Sequence, residues 1–149
     1  MSFEDMAHSH VQRLLREGME LTEIKADTDG DYAFGHRGIG YWVSVLPEGH
    51  MIRVWAMPAR YIKPTVGVLR EVNDLNASYR FSHAYLQDGT LTIEAFLPLL
   101  LIDTHFLMAV CHEVKCSADR VGVLLSTVHG GTMPGPEWIE ANNNEDSAA

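Results

Sequence analysis

The sequence predicts an α+β fold, one antiparallel sheet with helices, in the order α-β-β-β-β-α-β-β-α. Three observations carry that prediction. Two alternating segments, IGYWVSVL and MIRVWAM, flank the loop Pro47-Glu48-Gly49-His50. A second pair of segments, AYLQ and TLTIEAF, meets at Asp88-Gly89, a dipeptide suited to the two-residue type I′ hairpin turn. Between Phe106 and Val128, apolar residues recur at helical spacing and fall into one sector of the wheel.

In chain order, Ser2 and Asp5 form a capping box with Asp in place of Glu. Phe3, Met6, His10 and Leu14 then follow at helical spacing until Gly18 supplies a stop. From Leu21 to His36, Asp29-Gly30 separates LTEIKAD from DYAFGH, read as a hairpin of weak strands. A four-residue loop then sets Val45 opposite Ile52, Val43 opposite Val54 and Trp42 opposite Trp55. Pro64 suits a helix start, and Val66, Leu69, Val72, Asn73 and Asn76 continue the pattern, giving a second helix from about Pro64 to Leu75. The Asp88-Gly89 turn pairs Leu86 with Leu91, Ala84 with Ile93 and Ser82 with Ala95. On its other side it pairs Tyr85 with Thr92, His83 with Glu94 and Phe81 with Phe96. The last helix sets Phe106, Leu107, Val110, Cys111, Val114, Ala118, Val121, Leu124, Leu125 and Val128 against a polar side, and Gly130-Gly131 ends it.

Each strand alternates, so the sheet has two faces. If the last helix covers Tyr41, Val43, Val54, Ala84 and Ile93, a second face rich in aromatic residues and methionine remains. It bears Trp42, Met51, Trp55, Met57, Phe81, Tyr85 and Phe96. Three readings of that face stay open: cover by the second helix, a dimer interface, or a site for a protein or peptide segment.

The chain has 149 residues, of which 46% are hydrophobic, enough for one domain with a core. With 11 Lys and Arg against 20 Asp and Glu, the net charge is −9, which argues against nucleic acid and anionic membranes as partners. The first ten residues, MSFEDMAHSH, lack a basic region, and no apolar run approaches the ~20 residues that span a bilayer. The expected location is cytoplasmic. Cys111 and Cys116 are about 140° apart on a helix, at roughly 100° per residue, and are read as free thiols of a reducing compartment.

Several stretches together resemble the YbjN-like family, whose fold is that of type III secretion chaperones. They are DxxGDYAF from Asp27, the strand MIRVWAMPAR, the helix end EVNDLNASYRF, the hairpin AYLQDGTLTIEAFLP and the helix ADRVGVLL. The resemblance implies a type III secretion chaperone-like fold, with a single YbjN-like domain over residues 1–130; the polar, punctuated composition of residues 131–149 predicts an acidic, mostly disordered tail. The resemblance also implies a chaperone-like protein- or peptide-binding module acting as a small acidic homodimer. The tail, TMPGPEWIEANNNEDSAA, offers only Trp138 and Ile139 for packing.

Chemistry has two local candidates. His83 and Glu94 face each other across the second hairpin, a couple that can orient a general base. His112 and Cys116 share a stripe with His105 on the last helix and are metal-ligand types. At about 1.5 Å per residue, however, His105 lies about 10 Å from His112. No nucleophile elbow and no phosphate loop accompany either pair, and Gly35, Gly38 and Gly40 around Arg37 read as turn residues between strands. The expectation is a protein with no enzyme activity, no cofactor and no metal. The alternatives are a regulator of sensory or signalling pathways, or a small hydrolase or metal-dependent enzyme using one of those two pairs.

Overall fold

The computed structural model describes residues 1–133. Helix α1 spans Phe3–Met19, strands β1 to β3 span Tyr32–His36, Ile39–Val45 and Met51–Ala59, and helix α2 spans Val66–Ser78. Strands β4 and β5 span His83–Gln87 and Thr90–Pro98, and helix α3 spans Thr104–Val128. The five strands form one antiparallel sheet in the order β1-β2-β3-β5-β4. The fold class holds, with one strand fewer ahead of α2 than the sequence suggests.

Leu21–Asp27 carries no strand. The Asp27 carboxylate accepts hydrogen bonds from the backbone N–H of Asp29 and of Asp31, at 3.0 and 2.9 Å, and Gly30 has φ 86°. These local bonds turn the chain directly into β1. β1 pairs instead with β2, through a turn in which Arg37 and Gly38 take φ 52° and 81°.

Helix α1 starts at the expected capping box, with Asp5 N–H 3.1 Å from Ser2 Oγ and Ser2 N–H 2.9 Å from Asp5 Oδ2. Its buried row is Ala7, Val11, Leu14 and Leu15, whereas Phe3 and Met6 are exposed, so the expected stripe is rotated. The small Ala7 lets the helix approach the sheet, and Phe3 rests on His50 with ring centroids 4.8 Å apart. His8 and Gln12 also face inward, both hydrogen-bonding the hydroxyl of buried Tyr32. Gly18 does not stop the helix. It lies where α1 crosses α3, and an added Cβ would sit 2.5 Å from Met108 Cγ. Glu20, with φ 55°, terminates the helix.

The expected β2–β3 and β4–β5 registers are both observed, Trp42 opposite Trp55 and His83 opposite Glu94 among them. Asp88 and Gly89 have φ 51° and 77°. β4 begins at His83, so the pairing of Ser82 with Ala95 and of Phe81 with Phe96 falls outside the ladder. Thr65 caps α2, its Oγ1 accepting from Val68 N–H, which places Pro64 just outside the helix.

Helices α1 and α3 pack on one sheet face, where Val43, Ile52, Val54, Ala56, Ile93 and Ala95 are fully buried. Leu107, Val110, Val114, Ala118, Val121 and Leu125 of α3 meet them, while Val128, the last residue of the helix, is exposed. Helix α2 lies beside β4 and α3. The Asn76 side chain donates to the Ala84 carbonyl (3.0 Å) and accepts from the Ala84 N–H (2.8 Å), so it occupies both hydrogen-bonding groups of an edge residue. After α3, Thr132 exchanges two backbone hydrogen bonds of 2.9 Å with Arg60, at the end of β3. The rest of the expected tail lies outside the described residues. No helix among the described residues is long and apolar enough to cross a membrane.

Candidate functional site

The sheet face turned away from α1 and α3 carries most of the residues singled out in the sequence. Strand alternation places Trp42 on β2, Met51, Trp55 and Met57 on β3, Tyr85 on β4 and Phe96 on β5, all on that face. Trp42 and Trp55 stack with centroids 4.7 Å apart and planes 19° from parallel. The Trp55 indole N–H donates to Ser44 Oγ at 2.8 Å, fixing the ring. The His83 ring lies between Tyr85 and Phe96, at 6.0 and 6.2 Å. Phe96 is 43% exposed.

Helix α2 does not lie across this face; its strand contact is with β4, at the sheet edge. Phe81 departs from the expected set. Its N–H, with those of Arg80 and Ser82, donates to the Glu113 carboxylate on α3, at 2.8 to 3.0 Å. Its ring then packs edge-on against Phe106, 5.3 Å away. Burial pushes the Glu113 carboxyl up, but the hydrogen bonds from Arg80, Ser82 and Phe81 outweigh it and hold the group below the usual glutamate range.

The polar centre of the face is a residue that sequence reasoning left unassigned. Arg53 forms an ion pair with Glu94 at 2.5 Å, while its guanidinium carbon lies 4.5 Å from the Trp55 ring centroid. Glu94 is only 5% exposed and takes His83 Nε2 on its other oxygen at 3.1 Å. A carboxylate so buried requires such partners. Nearby, burial raises the Asp31 carboxyl, opposed by a hydrogen bond with Ser44 and by the charge of Arg53. The alternation of β3 already puts Arg53 on this face; the missing signal was the β3–β5 pairing, which joins residues 41 apart.

The predicted His83–Glu94 couple therefore exists as part of a charge-compensated cluster. His83 is flanked by Glu94, Tyr85 and Phe96. His112 and Cys116 also meet, at 3.7 Å, on the exposed side of α3. No group of three or more His, Cys, Asp or Glu able to hold an ion occurs among the described residues. His105 and His112 line a cleft of about 490 Å3 between α1, β2 and α3, with Lys115, Met108 and Tyr41. The sheet separates that cleft from His83 and Glu94, so the two candidate pairs do not converge. Cys111 and Cys116 are both free, and burial pushes the Cys111 thiol up to about 12.

Solved structures share the fold. A chain of the ExsC–ExsE complex superposes with a TM-score of 0.61 at 14% identity, covering 84% of this chain and 97% of that one. The Yersinia pestis type III secretion chaperone SycH, solved with a fragment of YscM2, gives 0.57 at 14% identity over 76% and 98% of the two chains. YbjN from E. coli gives 0.55 at 14% identity over 85% and 95%. Comparison with curated protein sequences gives no match. One family description does match by sequence, over residues 5–136, which is most of the chain. The chain belongs to that family, TY-Chap1, the T3SS (YopN, CesT) and YbjN peptide-binding chaperones.

Proposed function

We propose that this chain is a non-enzymatic, chaperone-like module of the cytoplasm that binds an extended protein or peptide segment on the face of Trp42, Met51, Trp55, Met57, Tyr85 and Phe96. The observation that carries the reading is the half-buried Trp55, stacked on the buried Trp42, on a sheet face crossed by neither α1 nor α3, in a chain whose family is one of peptide-binding chaperones. Flat aromatic rings give such a segment contact area at small entropic cost. The solved complexes of ExsC with ExsE and of SycH with a YscM2 fragment support the same role on the same fold. In this reading the binding unit is the domain of residues 1–130, with the acidic tail attached, and nucleic acid and membrane are not its partners.

The module acts as a homodimer, and α2 supplies the contact. Val66 and Leu69 lie one turn apart on that helix and are 65% and 50% exposed. Two measurements test the proposal. Fluorescence anisotropy with a panel of labelled, extended aromatic peptides should show binding that Trp55→Ser weakens at least about tenfold, the loss of a central aromatic anchor; equal affinity for both chains refutes the site. Sedimentation at micromolar concentration should give twice the chain mass, and a monomer there refutes the dimer.

A further inference from the structure

We propose that the cleft between α1, β2 and α3 is a binding site for a small organic carboxylate with an apolar body. The site lies across the sheet from the aromatic face and does not rest on the peptide-binding reading. Its volume of about 490 Å3 suits a single small molecule. The space exists because residues with little or no side chain line it: Gly18 on α1, Gly35 on β1 and Ala109 on α3. Met19, Met108 and Tyr41 supply apolar walls, and methionine adapts its shape to what it touches.

Charge selects the ligand. The chain has a net charge of −9, yet none of the described residues lining the cleft is a carboxylate. The lining holds Lys115, His112 and His105 instead. His112 and Lys115 are three residues apart on α3, so their side chains are neighbours. His105 stands about 10 Å further toward the helix N-terminus, at roughly 1.5 Å per residue, and closes the far end. Lys115 has no ion-pair partner among the described residues. Carboxylates on the adjoining elements are engaged elsewhere: Glu17 with Arg13 and Thr104, Glu113 with the backbone of residues 80–82, and Asp119 with Arg37. Glu20, which follows Met19, is exposed to solvent. A carboxylate placed at Lys115 and His112 therefore meets donors that nothing else compensates, while its apolar body lies on Met108, Ala109 and Met19. The groove between α2 and α3 fails the same test, because Glu71 and Asp74 there outnumber Arg120.

The test uses the full chain with isotope-labelled methionine methyl groups, since Met19 and Met108 report on the cleft while Met51 and Met57 report on the aromatic face. The probe is α-naphthoate, compared with its cationic analogue α-naphthylmethylammonium. Naphthoate should shift the Met19 and Met108 methyl signals with a Kd of about 1 mM, the value expected for a ligand of that size. Lys115→Gln should weaken binding about tenfold, and Lys115→Arg, which keeps the charge, should retain it. The cationic analogue should leave the Met19 and Met108 signals in place. Naphthoate shifts confined to Met51 and Met57 overturn the proposal, because the probe then sits on the aromatic face. Unmoved Met19 and Met108 signals well above that concentration overturn it as well. So does equal affinity for the two probes, or equal naphthoate affinity in the native chain and Lys115→Gln.

Discussion

Replacing Glu113 by alanine or glutamine tests how β4 is delivered to the sheet. The carboxylate accepts from three consecutive backbone N–H groups, those of Arg80, Phe81 and Ser82, at 2.9, 3.0 and 2.8 Å. A hydrogen bond to a charged group contributes about 1.5–3 kcal/mol when buried. Here two of the donors are exposed and can rehydrate, so the three together are discounted to about 2 kcal/mol. Glu113→Ala should therefore lower the urea midpoint by about 1 M, taking a slope near 2 kcal/mol per M. Glu113→Gln retains a carbonyl oxygen that still accepts and should lose about half as much. The pH dependence has a fixed sign. Because the folded carboxyl lies below the usual glutamate range, its stabilisation is complete above the unfolded pKa of about 4.3 and is lost as pH falls through the lower folded value. The gap between the native chain and Glu113→Gln should be constant near pH 7 and close below about pH 4. Equal midpoints at pH 7, or a gap that widens on acidification, would refute the reasoning.

Val114 is fully buried where α3 meets the sheet, so Val114→Asp should cost more than about 3 kcal/mol, seen as a large fall in melting temperature. Asn76→Ala removes both bonds to Ala84 and should cost about 1–2 kcal/mol; light scattering on mild heating should also rise as the β4 edge is uncovered. Gly122→Ala places a Cβ 3.0 Å from the Pro58 carbonyl oxygen and 3.2 Å from Ile39 Cδ1, so despite better helix propensity it should destabilise by about 1 kcal/mol, measurable by urea titration.

What the sequence made legible was mostly local. The Asp88-Gly89 turn and the Pro47–His50 loop each pin a register, and once the register is set the alternation of Trp42, Trp55, His83 and Glu94 follows. The segment at Leu21–Asp27 misled because its partial alternation resembles a strand, while the Asp27 carboxylate turns the chain aside. The phase of α1 misled because Phe3 and Met6 are apolar yet lie at the rim, and the small Ala7 marks the inward side. The Arg53–Glu94 pair was hidden for a different reason. It depends on β3 and β5 becoming neighbours, a long-range choice that no turn encodes. Phe81 was misplaced because the alternation of β4 was extended past His83, where Glu113 takes hold of the backbone.

The Asn76–Ala84 contact also bears on the order in which the chain assembles. Its partners are eight residues apart, and the α2–β4–β5 region closes its loops over short separations, whereas Arg53 and Glu94 are 41 apart. Closure entropy and topology both favour the short connections forming first. The β4 margin is then sealed by a side-chain amide before β3 arrives, and the nascent hairpin has one unprotected side only, the β5 side that β3 will take. A chain growing from its N-terminus has already made β3 by the time β5 emerges, so the vulnerable side meets its own partner at high local concentration. If the short connections close first, the asparagine guards the nascent hairpin against intermolecular strand pairing as well as capping its edge.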